Sequence, residues 1–229
     1  RFLDEKWELL RRRARPFAHV PFVEFALGSG SMALGTARPS SDFDVIVGVR
    51  HGRIFTARFL CAVAFALRGW RRAKHTHGEG ARDKICLSHF IAPGAYRFAP
   101  PHTEAWRAMY RGLAPLTGNP IAISAFFLAN EWAWERHGGR EAAARAVYSP
   151  RRWKMHHHPW SLFQTIGEFI LGGEFGDAVE RALRRMQIRR IHGSMRRENL
   201  YEPRIAYTDH ELMFFPDSRS RLTDYEQTV

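Results

Sequence analysis

Two strand-like runs, residues 22–27 (FVEFAL) and Phe43–Val49 (FDVIVGV), are joined by a segment too short for a crossover helix. That interval, LGSGSMALGTARPSSDFDVIVGV from Leu27 to Val49, limits the fold more than any other feature of the chain. Residues 28–33 (GSGSMA) match a G-x-G-x-x-A dinucleotide fingerprint and follow a strand, as that motif should. A Rossmann unit, however, needs a full helix before its next strand. Only eight residues separate Ala33 from Asp42, and Pro39 is one of them, so the dinucleotide fold is excluded. A P-loop is excluded as well, because no Gly-Lys-Ser/Thr follows the glycines.

The second run opens with two acids. Strand alternation turns Phe43, Val45, Val47 and Val49 to one face and Asp42, Asp44 and Ile46 to the other. Two residues of rise set the carboxylates about 6–7 Å apart at their backbones, with side chains converging. Two anions that close call for a cation, and carboxylate oxygens suit a hard ion such as Mg²⁺, which also takes substrate phosphates. Upstream, the Gly30-Ser31 turn opens a short helix whose backbone N–H groups suit an anion. A phosphate cradle on one strand end beside an acid pair on the next makes a nucleoside-triphosphate site. Taken alone, PSSDFD is more often a turn that caps a strand.

Gly30-Ser31-Met32-Ala33-Leu34-Gly35 followed by Ser41-Asp42-Phe43-Asp44 resembles the signature of the nucleotidyltransferase superfamily typified by DNA polymerase beta, in its minimal form. The resemblance covers residues 20–92 and joins two elements at a defined distance, which is more specific than either alone. It implies that Gly30, Ser31 and Ser41 contact the nucleotide and that Asp42 and Asp44 bind Mg²⁺ or Mn²⁺. It also implies a third carboxylate on the next core strand, expected at residues 84–91 (KICLSHFI). No acid stands at the centre of that strand. Asp83 at its entrance is the candidate third catalytic acid, on the same parity as His89; otherwise Ser88 or His89 takes the place. The implied reaction is metal-dependent transfer of a nucleotidyl group from a nucleoside triphosphate to an acceptor hydroxyl. Relatives in the superfamily act on RNA ends, on proteins in toxin–antitoxin pairs and on aminoglycosides. A degenerate member would keep nucleotide or RNA binding without turnover.

Charge bears on the acceptor. The chain carries a formal net charge of +12, with a sequence pI near 10.6. Residues 1–100 hold 17 basic and 8 acidic side chains, so the positive field is concentrated around the quoted stretch. Such an excess favours a polyanionic partner, RNA foremost, and disfavours a cationic aminoglycoside. Cys61 and Cys86 lie in apolar runs and read as reduced thiols. The opening RFLDEKWELLRRR has no signal-peptide character, and the longest apolar run, interrupted by Arg58, is too short for a membrane span. The expectation is a cytoplasmic protein with no membrane partner.

Coarse patterning gives an α+β chain: a small mixed-sheet nucleotidyltransferase domain over residues 1–99, then a mainly helical domain over 100–229. Helices are expected over residues 4–15 and 52–70, the latter apolar around most of its circumference and buried. Further helices are expected over 104–116, 119–138, 139–148 and 161–191, the last breaking at Gly172-Gly173 and resuming from Asp177. Residues 204–217 read as a hairpin around Asp209-His210. The Arg-rich stretch 181–197 either tracks an RNA backbone or is an amphipathic helix with snorkelling arginines. Trp106, Trp132, Trp134, Trp153 and Trp160 read as core of the helical half. His75, His77 and His156–His158 read as loop residues, since adjacent histidines do not share a face.

Overall fold

Short connections force antiparallel neighbours, and a parallel pair needs a helix between its strands. Both rules operate in the computed structural model, which describes residues 1–73, 78–147, 161–195 and 204–215. β1 (Val23–Gly28) runs antiparallel to β2 (Phe43–Val49) across the five-residue helix α2 (Gly30–Leu34). β2 runs parallel to β3 (Ile85–Ile91), and α3 (Ile54–Leu67) makes the crossover. β4 (Ala114–Gly118) lies antiparallel on the far side of β1. The hairpin of β5 (Arg204–Tyr207) and β6 (Glu211–Phe215) adds to β3 through β6, giving the order β4-β1-β2-β3-β6-β5.

The alternation expected for β2 holds on both faces. Phe43, Val45, Val47 and Val49 pack into one apolar cluster with Leu10 and Ala14 of α1 (Phe2–Ala14) and with Ile54, Phe55, Cys61 and Phe65 of α3. Ile46 packs on the opposite face with Trp106 and Tyr110 of α4 (Glu104–Gly112) and Phe126 and Phe127 of α5 (Pro120–Ala129). β2 is buried along its length, as a central strand covered on both sides should be. α3 is less enclosed than its composition predicts: Phe59, Val63 and Leu67 face outward.

The second half is helical less continuously than expected and adds a strand besides the terminal hairpin. The helix expected over 104–116 stops at Gly112, whose Cα sits against the Ala33 carbonyl so closely that a Cβ would come within 2.0 Å of its oxygen. The chain then forms β4 on the sheet edge, where Pro115 can stand without breaking an inner ladder. Strands β4, β5 and β6 all come from beyond residue 100, so the boundary expected at residue 99 does not divide the sheet. The helix expected over 119–138 breaks at Asn130 into α5 and a 3₁₀ segment, Glu131–His137. α6 (Gly139–Val147), α7 (Leu162–Ile170) and α8 (Glu174–Met195) follow, with the break at the glycine pair as expected but α8 starting at Glu174. The terminal hairpin is present. Trp106, Trp132 and Trp134 are core residues, whereas Trp153, Trp160, His75, His77 and His156–His158 lie outside the described residues.

Asn130 explains the break. Fully buried, it accepts from Phe98 N and Trp132 Nε1, both at 2.9 Å, and donates to the carbonyls of Tyr96 (2.6 Å) and Phe126 (2.9 Å). Its hydrogen-bonding capacity is thereby filled. Asn130→Leu strands several of these partners, each costing about 1–3 kcal/mol when left unpaired. The expected loss is about 3 kcal/mol or more, read as a lower urea midpoint with an unchanged slope.

Candidate metal centre

Gly30 is the residue that brings the bend and the acids together. It follows the extended Ser29 and takes φ +59°, a left-handed conformation that glycine adopts without strain. A Cβ at this position would lie 2.1 Å from Asp44 Oδ2, so the carboxylate rests directly on the glycine. The contact is pinned through the backbone, where Ser29 N donates to the Asp44 carbonyl at 3.0 Å. Asp44 is buried and Asp42 is partly exposed at the mouth of the same site.

The third place beside the pair belongs to Cys86. Ligand atoms of Asp42, Asp44 and Cys86 all lie within 4.8 Å of one another, a group able to hold a metal ion. Cys86 stands opposite Asp44 in the parallel β2–β3 register. Beyond it the register slips, so that Ile46 pairs with His89, three residues after Cys86 and not two. This bulge puts Cys86 and His89 on one face and defeats the strict alternation that had grouped Asp83 with His89.

The sequence-based candidates for the third place are directed elsewhere. Asp83 has φ +59° and pairs with the buried Lys6 Nζ at 2.7 Å. The same ammonium donates to the carbonyls of Ser41 (2.9 Å) and Pro39 (3.2 Å). Asp83 N donates to Ser41 O at 3.1 Å, and Arg13 donates to the Asp83 carbonyl. Asp83 therefore anchors the loop leading into Asp42 and lies outside the group of Asp42, Asp44 and Cys86 that could hold a metal ion. His89 Nε2 lies 3.2 Å from Glu211 on β6. Ser88 Oγ is buried with no hydrogen-bond partner. Ser31 lies in the first turn of α2, where the leading amides lack in-helix acceptors. The Ser41 hydroxyl accepts from Arg38 N at 2.9 Å and closes the turn before Asp42.

Arg72 is the second residue at the candidate site that the sequence reading missed. Its Nη1 donates to Asp42 Oδ2 at 2.7 Å and to Cys86 Sγ at 3.7 Å. Burial alone would lower the Arg72 pKa, but Asp42, Cys86 and Asp44 outweigh it and hold the guanidinium firmly charged. The only sequence signal was its place in a basic loop near the site. Two carboxylates facing one guanidinium leave a net negative charge, which fits a divalent cation. The oxygens suit Mg²⁺ or Mn²⁺, and the sulfur suits a softer ion.

The two thiols differ in access. Cys61 is sealed in the core, where burial pushes its thiol well up, while Cys86 is partly exposed. A disulfide reagent is expected to titrate one thiol in the native protein and both in denaturant. Two thiols reacting at equal rates in the native state would contradict this placement.

No family model, curated protein or solved structure matches the chain. Among the described residues, no helix is long and apolar enough to cross a membrane.

Proposed function

We propose that the protein is a metal-dependent nucleotidyltransferase of the DNA polymerase beta-like superfamily, moving a nucleotidyl group from a nucleoside triphosphate to a hydroxyl on RNA. The observation that carries this reading is the seating of the Asp44 carboxylate on Gly30, with Asp42 converging on the same space. Asp42 and Asp44 hold the cation. Gly30 and Ser31 offer backbone amides to the phosphates, and the absence of a side chain at Gly30 lets phosphate and carboxylate approach. Arg72 neutralises part of the negative charge at the mouth. Lys6 and Asp83 fix the loop that aims Asp42. A bound Mg²⁺ or Mn²⁺ supplies charge neutralisation for the α-phosphate and the departing pyrophosphate. The acceptor oxygen bonds to the α-phosphorus as the bond to pyrophosphate breaks, and the hydroxyl proton passes to water.

RNA is favoured by charge. Arg58 is pushed down to about 10 by burial and then by the nearby Arg71 and Arg190. Arg58 Nη1 donates to Gln187 Oε1 at 2.6 Å, and its Nε is buried without a hydrogen-bond partner. Together with the net charge of +12, this concentration of positive charge suits a polyanionic partner such as a phosphate backbone. A second reading, nucleotide binding without turnover, is favoured by the thiol standing where a third acid is expected.

Incubation with Mg²⁺ or Mn²⁺, each labelled triphosphate and total RNA tests the proposal. Label transferred to RNA and lost in the Asp42→Ala/Asp44→Ala double variant is the expected result. Nucleotide binding with no transfer to RNA or protein would establish the second reading.

A further inference from the structure

We infer that Cys86 is the third ligand of the Asp42–Asp44 metal site and makes that site selective for a thiophilic divalent ion over Mg²⁺. The inference rests on the proposed role of the acid pair, and extends it from the presence of a metal to its chemical class. Three independent features of the geometry lead to it. First, the thiol is placed by register and not by chance proximity: Cys86 is the β3 residue directly opposite Asp44. Second, its sulfur looks into the same space as the carboxylates. All three ligand atoms fall within 4.8 Å of one another, a group that could hold one ion between them. Third, one guanidinium nitrogen of Arg72 already contacts both Asp42 Oδ2 and Cys86 Sγ, so a cation at this position meets oxygen and sulfur together.

Charge agrees with the assignment. Two carboxylates against Arg72 leave one negative charge, and a coordinated thiolate adds a second, which matches a divalent ion. Coordination forms the metal–sulfur bond and releases the thiol proton to solvent. A donor set of two carboxylates and one thiolate is harder than a zinc-finger site and softer than an all-carboxylate one. Mn²⁺, Co²⁺, Zn²⁺ and Cd²⁺ accept such a set, whereas Mg²⁺ gains little from sulfur.

The test uses Cd²⁺ and Co²⁺ as probes on the full chain. Titration is expected to produce a thiolate-to-metal charge-transfer band at one equivalent, retained in Cys61→Ser and lost in Cys86→Ser. Cd²⁺ affinity is expected to fall at least tenfold in Cys86→Ser while its melting temperature stays near that of the parent. Cys86→Asp is expected to keep metal binding without the band and to move the preference toward Mg²⁺. Absence of the band in the parent, or its persistence in Cys86→Ser, overturns the inference. The two proposals fail separately. Transfer supported by Mg²⁺ with no thiolate band removes only the ligand assignment. A Cys86-dependent band in a protein that transfers no nucleotide removes only the enzymatic reading.

Discussion

Asp44→Asn is expected to lower nucleotidyl transfer by about 10³-fold or more, the scale on which charge-neutralising groups contribute to phosphoryl transfer. The variant keeps the shape of the side chain that rests on Gly30 and leaves the Ser29 N to Asp44 O bond intact. Its melting temperature should therefore stay close to that of the parent. Asp42→Asn should follow the same pattern, although it also removes the charge partner of Arg72. Raising the metal concentration should not restore either variant fully, because each loses a ligand and not merely affinity elsewhere. Turnover in both variants within tenfold of the parent would remove the acid pair from the mechanism.

The second large effect is expected at Gly30, where stability and metal binding should fall together. Gly30→Ala introduces a Cβ at φ +59° and drives it to 2.1 Å from Asp44 Oδ2 and 2.8 Å from Asp44 Cβ. A left-handed non-glycine residue costs about 1–3 kcal/mol, and forced overpacking adds about 1–3 kcal/mol. The melting temperature should drop on the order of 10 °C for a chain of this size. Gly35 provides the control: it has φ +74° but open space around its Cα. Gly35→Ala should show the backbone cost alone, about 1 kcal/mol, with metal affinity unchanged. Equal effects at both glycines would show that the Asp44 contact does not matter.

The sheet core was readable because β2 and its flanks obey local rules. Dense β-branched residues gave the strand, alternation gave its two faces, and the short Ala33–Asp42 interval excluded a crossover helix before it, in keeping with the antiparallel β1–β2 pair. β4 was missed because APLTG is short and has no alternating pattern, although Gly112 and Pro115 are helix-ending residues. Its strand state comes from pairing with β1, a tertiary effect that overrides local propensity. Within the site, Asp42, Asp44 and Gly30 were singled out by the glycine-serine turn and the acid pair taken together with the resemblance they carry, and the structure brings the three side by side. Cys86 did not, because a bulge after it breaks the alternation used to assign faces. Asp83 was misplaced for a related reason: a positive φ turns it toward Lys6 on α1, a partner far away in sequence. Arg72 meets Asp42 across thirty residues, and no local pattern carries such a pairing.

Crystals soaked with Mn²⁺ and a triphosphate whose α–β bridge cannot be cleaved would test the site directly through manganese anomalous scattering. The arrangement predicts a peak bonded by the Asp42 and Asp44 carboxylates, with the phosphate tail lying against the Gly30-Ser31 bend. A triphosphate bound away from that bend, or manganese bound elsewhere while both acids keep only their protein contacts, would contradict it.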